Sequence, residues 1–238
     1  LTVTPATDSN DDFQLTVTAT STDGEDTATT TGTIDVDVTG VADTPSLDLS
    51  GALGDEDTAI ALDISSSLAD TDGSETLSVT ISGVPDGATL SAGTDNGDGT
   101  WTLEPGDLSG LSITPPADFS GSFDLTVAAT ATEDDGDTAT TTSTLSVEVA
   151  GVADAPDLDV SASAGNEDSA IALDITAGLT DTDGSESLSI TISGVPDGAS
   201  LSAGTDNGDG TWTLEAGDLE GLTVTPATDS NDDFQLTV

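Results

Sequence analysis

The chain repeats itself at an interval of 111 residues, and a polypeptide that does so folds as a string of like units rather than around one large core. GVADTP at Gly40 returns as GVADAP at Gly151, ISGVPDGA recurs from Ile81 to Ile192, and TDNGDGTWTLE recurs from Thr94 to Thr205. LTVTPATDSNDDFQLTV, at Leu1, returns unchanged at Leu222, with a diverged copy, LSITPPADFSGSFDLTV, at Leu111. The first of these intervals is 110 residues, one short, and the missing residue falls in an acidic loop where STDGEDT at Ser21 faces ATEDDGDT at Ala131. Loops are where such a change in length is tolerated. On this period residues 1–42 read as the C-terminal part of one repeat, 43–153 as a complete repeat and 154–238 as the N-terminal part of a further one. Two sources for the rest of each partial repeat are open: further chain, or a neighbouring copy in a filament, since residues 18–42 are the continuation that Val238 lacks.

Within each unit the local pattern is that of strands. Phe123, Leu125, Val127, Ala129 and Ala131 alternate with polar neighbours, as do Leu145, Val147 and Val149, and Leu77, Val79 and Ile81, the period of a strand with one buried face. Thr is abundant in these runs, clusters of Gly, Pro, Asn and Asp separate them, and no stretch has helical periodicity. About 110 residues with this rhythm predict two layers of antiparallel strands around one core, an all-β sandwich. Trp101 and Trp212 are expected at the core or its edge. TDNGDG at Thr94 and Thr205 predicts a hairpin turn, because Asn-Gly and Asp-Gly adopt positive φ readily, and it lacks the distal glutamate of a calcium-binding loop.

Charge narrows the function classes. There are 47 acidic side chains, 37 Asp and 10 Glu, and no Lys, Arg or His. Such a surface repels phosphate backbones and anionic headgroups, so neither nucleic acid nor a membrane surface is an expected partner, and no apolar run approaches the roughly 20 residues of a membrane span. Leu1 opens no basic, apolar leader, and the chain reads as beginning in mid-pattern. Without Cys there are no disulfides or thiolate sites, and without His the commonest transition-metal ligand is gone. Carboxylates with no internal counter-charge are left to hard cations, calcium or magnesium, taken up in Asp-bearing loops. The acidic loops Asp23–Asp26 and Asp134–Asp137 are open to either ion binding or plain solvation.

The order of segments resembles the cadherin-like repeat: GDEDTAI at Gly54, then ALDISSSLADTDGSETLSVTI, FDLTVAATATEDDGDTA at Phe123, and TLSVEVAGVADAP leading into the next unit. DTDGSE-LS-TISGVPDGA with NGDGTWTL and the GVADAP junction is similar to the tandem extender repeats of giant bacterial adhesins exported by type I secretion, the RTX adhesins. This resemblance covers essentially the whole chain and implies tandem Ig-like or cadherin-like Greek-key sandwiches with calcium at their junctions. It further implies an extracellular or cell-surface extender arm that projects an adhesive tip. For the second junction the resemblance implies ligands at Glu56 and Asp118 upstream, Asp154 in the linker, and Asp181 with Asp183 downstream. For the first it implies Asp43 in the linker, Asp70 and Asp72 downstream, and Asp8 or a neighbour upstream, with Glu133 closing the same cage. The linker departs from the family pattern: DxNDN is reduced to Val-Ala-Asp, which favours one or two ions per junction over three.

An enzyme fits poorly. Near-identical tandem loop acids, without His, Cys or Lys, do not provide the distinct carboxylate environments of a glycosidase, so no small-molecule substrate is expected. A carbohydrate-binding module would present aromatic platforms, and the chain has two Trp, four Phe and no Tyr. A surface filament or S-layer subunit shares the sandwich and the calcium, with other copies of the chain as partners. The expected partners are otherwise the neighbouring repeats.

Overall fold

The alternating segments become strands throughout the computed structural model, which describes residues 1–238 as two units, Leu1–Ala150 and Gly151–Val238. The first unit opens with a ribbon of β1 (Phe13–Asp23) and β2 (Asp26–Val36), antiparallel from Phe13 opposite Val36 to Asp23 opposite Asp26. Gly24 turns the corner at φ +65°, a conformation that glycine adopts without steric cost. Asp35 accepts a 2.6 Å hydrogen bond from the Gln14 side chain across the ribbon.

The strands between Ser46 and Ala150 form a two-layered sandwich. In chain order its strands are β3 (Ser46–Ser50), β4 (Ala52–Asp55), β5 (Ile60–Ala61), β6 (Asp63–Ser67), β7 (Glu75–Ser82), β8 (Thr89–Leu90), β9 (Thr94–Asp95), β10 (Thr100–Leu103), β11 (Ser112–Thr114), β12 (Gly121–Glu133) and β13 (Thr138–Ala150). One layer is the sheet β4-β13-β12-β7-β10-β9, and the other is made of β5-β11-β8 and β3-β6. The inward residues predicted from the alternation, among them Val79, Ile81, Leu125, Val127, Ala129, Leu145 and Val147 of the large sheet, meet Ile60, Ile64, Leu90 and Ile113 of the small ones between the layers. Each Val, Leu or Ile side chain among them contributes roughly 1.5–3 kcal/mol by leaving water. β12 is central, pairing on one side with β13 and on the other with β7, with Val127 opposite Ile81 and Glu133 opposite Glu75. β4 lies parallel to the end of β13, and Gly54 there is a packing requirement, because a Cβ would stand 2.6 Å from Ile60.

Residues 151–238 repeat the first part of this plan with β14 (Asp157–Val160), β15 (Ile171–Ala172), β16 (Ile175–Gly178), β17 (Ile190–Ser193), β18 (Ser200–Leu201), β19 (Thr205–Asp206), β20 (Thr211–Leu214) and β21 (Thr223–Thr225). The sheets are β14-β16, β15-β21-β18 and β17-β20-β19, around a smaller core of Ile175, Ile190, Ile192, Leu201, Leu214, Leu222 and Val224. Only an isolated bridge, Ser193 with Thr237, starts the counterpart of β12.

TDNGDG is a hairpin turn in both copies, with Gly97 and Gly99 at φ +78° and +79°. Asp95 and Asp98 accept from the Gly97 and Thr100 amides, the local bonding that makes Asp a turn residue. Trp101 and Trp212 are half-buried against their cores. The helical structure consists of two 3-10 turns, Pro105–Leu108 and Ala216–Leu219, each closed by a reciprocal Glu–Asp capping box and each burying one Leu. They are too short to show a helical period in the sequence.

Candidate metal centre

The loop Asp70–Glu75 is folded by its own aspartates. Asp70 accepts from the Asp72 amide at 2.8 Å and Asp72 from the Ser74 amide at 2.8 Å, so successive Asx turns fix both carboxylates against the loop's own backbone. The bonds from Ser74 hold the Asp72 carboxyl below the usual aspartate range. Glu75 then begins β7 opposite Glu133, the last residue of β12, so the ladder itself sets two glutamates side by side. The 134–137 loop is fastened to this end by the Asp134 amide, which donates to Ser74 O at 3.1 Å.

The linker of the first unit lies on this group. The Asp43 amide donates to Glu75 Oε1 at 2.6 Å and the Ala42 amide to Asp137 Oδ2 at 3.0 Å. Gly40 rests on the Glu133 carboxylate so closely that a Cβ would stand 2.8 Å from its Cδ and Oε2. Asp70, Glu75 and Glu133 are all buried, and Oε2 of both glutamates meets no hydrogen-bond donor. Burial raises the Glu133 carboxyl above the usual glutamate range; the Ser74 hydroxyl opposes the shift and the charges of Glu75, Asp135 and Asp70 add to it. A buried carboxylate needs a counter-charge, and this chain has no cationic side chain to supply one. Oxygen-only donors with spare lone pairs are of the chemical type that a hard cation such as calcium takes, although no three of these carboxylates bring oxygens within reach of one ion.

The second unit builds the same local pieces. Asp181 accepts from the Asp183 amide at 2.7 Å, Asp183 from the Ser185 amide at 2.6 Å, and the Asp154 amide donates to Glu186 Oε1 at 2.7 Å. Glu186 Oε2 again has no donor. At the other end of the complete repeat Asp57 and Asp118 both adopt left-handed φ, +55° and +57°, and the Asp118 amide donates to Asp57 Oδ1 at 3.1 Å. Asp168 and Asp229 repeat that arrangement at 2.9 Å. Left-handed φ at a non-glycine residue is uncommon, and Asp is among the few that take it readily.

Of the residues read from the sequence, Asp70, Asp72 and Glu133 occupy the end of the sandwich on which Asp43 sits. Glu56 is buried at the end of β4, where its amide donates to Ala150 O at 2.9 Å, and Asp118 follows the last small strand, β11. Asp8 shares the left-handed conformation of Asp118 and Asp229 in the equivalent loop. Asp8, Asp43, Asp70 and Asp72 do not come together as a set of three within reach of one ion. Asp154 and Asp183 are exposed, whereas Asp181 is buried. Three residues went unread: Glu75, its counterpart Glu186, and Asp57. Glu75 closes the DTDGSE string, and its signal was its place as the first residue of the strand; Asp57 lies beside Glu56 in GDEDTAI and has no periodic signature.

No protein-family model and no curated protein matches this chain. Solved structures similar to it include protocadherin gamma B2 extracellular cadherin domains 1–5, at 13% identity and a TM-score of 0.32 over 92% of this chain and 39% of that one. Protocadherin gamma B7 extracellular cadherin domains 1–4 give 13% identity and a TM-score of 0.34 over 92% of this chain and 50% of that one. The chain thus spans half or less of the length of these solved chains. With overall superposition this loose, the sandwich assignment rests on the strand order and the shared core.

Proposed function

We propose that this chain is a non-catalytic, calcium-stiffened spacer: an extender segment of a secreted bacterial cell-surface adhesin or extracellular fibre, of the type its repeats resemble, serving adhesion by projecting a binding tip. The observation that carries the reading is the seat of the first linker. Asp43 and Gly40 rest on Glu75 and Glu133, whose buried second oxygens have no donor, in a chain without a cationic side chain. Asp70, Asp72, Glu75 and Glu133, with Asp43 and Asp137 nearby, are the acids an ion there would draw on, and their oxygens would have to close up around it. Asp154, Asp181, Asp183 and Glu186 are the corresponding set in the second unit, and Glu56, Asp57 and Asp118 are acids for the opposite end of a repeat. Bound calcium supplies the positive charge that offsets these carboxylates.

The chain's own residues do the rest. The Asx turns fix the carboxylates before any ion arrives, which lowers the ordering cost of binding. The Glu75 bond to the Asp43 amide couples the linker to the sandwich, so that charge compensation at the acids restrains the linker as well. With the charge uncompensated, Glu75, Glu133 and Asp70 repel one another and loosen the same contact. The half-buried positions of Trp101 and Trp212 on their cores favour a spacer over a sugar-binding face.

Thermal unfolding and small-angle scattering, in calcium and then in chelator, test this reading. Calcium at about a hundred times its dissociation constant raises stability by roughly 2.7 kcal/mol and lengthens the particle. A melting temperature and maximum dimension that do not respond to calcium would refute it.

A further inference from the structure

We infer that Asn96 and Asn207 are conditional modification sites: the folded hairpin turn clamps each Asn-Gly bond against succinimide formation, and opening of the turn releases the asparagine to deamidate irreversibly. Of the chain's five asparagines these two alone precede glycine, at the same place in either copy of TDNGDG. Glycine leaves the backbone nitrogen after an asparagine unshielded, which makes this dipeptide especially prone to cyclise. The turn nonetheless needs both residues. Gly97 and Gly208 stand at φ +78° and +79°, with no heavy atom within 4 Å of where a Cβ would lie, so glycine is required there for its backbone conformation alone. Asn96 is required for its side chain. Its Nδ2 donates to Thr100 Oγ1 at 2.9 Å and to Thr102 Oγ1 at 3.1 Å, and Asn207 repeats both bonds with Thr211 and Thr213 at 3.0 and 3.1 Å.

In the reaction the Gly97 nitrogen loses its proton and attacks Asn96 Cγ, the Cγ–Nδ2 bond breaks, and ammonia leaves carrying that proton. Water then opens the cyclic imide at either carbonyl, leaving aspartate or isoaspartate. Both reacting groups are tied down in the fold. The Gly97 N–H is engaged by Asp95 Oδ1 at 2.8 Å, and the Gly208 N–H by Asp206 Oδ1 at 2.8 Å. The departing nitrogen, Nδ2, is the atom that the two threonine hydroxyls hold, and the Asn96 amide itself donates to Thr100 O at 3.0 Å. Cyclisation therefore waits for the hairpin to open. β9 is the outermost strand of its sheet, paired with β10 through Asp95–Trp101 and Thr102–Thr94 alone, and β19 is placed alike beside β20. Edges with so little pairing open at least cost. Isoaspartate lengthens the main chain by a methylene, and either product adds a carboxylate beside Asp95 and Asp98 in a chain without a cationic side chain, so modification weakens the turn that it came from. Each excursion of the edge can thus leave a permanent mark.

The inference does not rest on the calcium reading, since neither turn uses the acids of that site. The 238-residue chain is incubated at mildly alkaline pH, once folded and once in denaturant, then digested with pepsin because it offers trypsin no Lys or Arg. Mass spectrometry that resolves Asn, Asp and isoaspartate reads each site. Asn96 and Asn207 deamidate at least about tenfold more slowly in the folded chain. Equal rates overturn the clamp, and a faster rate in the folded chain overturns it too, by making Asp95 a base that promotes attack. Thr102→Val keeps the β-branched shape of an exposed strand residue and removes one acceptor from Asn96. It raises the folded-state rate at Asn96 about fivefold, the worth of a single hydrogen bond. Asn207, in the unaltered second unit, keeps its rate, as does Asn96 in denaturant. Thr102→Ser, which retains the hydroxyl, restores the slow rate at Asn96. An unchanged Asn96 rate in Thr102→Val, an equal rise at Asn207, or no rescue by Thr102→Ser overturns the role given to the hydroxyl.

Discussion

The strand Glu75–Ser82 and the segment 186–193 differ at two of eight side chains, ETLSVTIS against ESLSITIS, yet the first is a strand over all eight residues and the second over the last four, Ile190–Ser193. The difference is the neighbour. Glu75–Ser82 is paired along its whole length with β12, whereas 186–189 has no strand beside it. β4 teaches the same lesson. Ala52–Asp55 is a strand because β13 lies parallel to it, and its counterpart, 163–166, is irregular where no β13 exists. Strand extent in this molecule is a property of pairs.

The comparison is broken most severely by charging equivalent valines. Val127→Asp buries a carboxylate in the core and costs about 4 kcal/mol or more, abolishing the thermal transition of residues 43–150. Val17→Asp, at the same position of the exposed ribbon, changes that transition by no more than about 0.5 kcal/mol. Next in size is Glu133→Gln. Removing a buried charge that only a bound cation offsets raises the melting temperature in chelator and reduces the increment that calcium adds, whereas Asp98→Asn, in a turn that read as metal-free, leaves that increment unchanged. Hydrogen exchange should then separate the paired from the unpaired segment: amides of Glu75–Ser78 exchange at least about tenfold more slowly than those of 186–189, a gap of about 1.4 kcal/mol in opening free energy.

The smallest effect is a pH response. The folded Glu133 carboxyl titrates above its unfolded value, so the folded chain binds the proton first. In chelator, residues 43–150 therefore gain stability as pH falls through that raised value, an excess that Glu133→Gln removes. Asp98 and Asp209 are held low by their bonds to Thr100 and Thr211, so both units lose that contribution below the ordinary aspartate range. Differential melting curves between pH 7 and pH 3 with and without Glu133→Gln test both signs.

Much of the fold was legible because the alternation is local. Leu77, Val79, Ile81, Leu125, Val127, Ala129 and Ala131 announce one buried face with no knowledge of the partner, and all of them are buried in the complete repeat. The similar period-two run at Phe13–Val17 announces the same face, but here Leu15 and Val17 stand in solvent, since burial needs an opposing layer. Of the site, Asp70 and Asp72 were legible from a short acidic loop. Glu75 was not assigned, because its meaning depends on the β12–β7 register that sets it opposite Glu133 and on the linker amide that reaches it.

By itself the sequence determined the period, the two-layered β architecture, the turns at TDNGDG and the total want of internal counter-charge, because each depends on neighbouring residues or on simple composition. Only the tertiary structure decided which acids become buried and which strands grow to full length. Those outcomes depend on what the ladder and the linker bring within a few ångströms, from residues as far apart in the chain as Gly40 and Glu133.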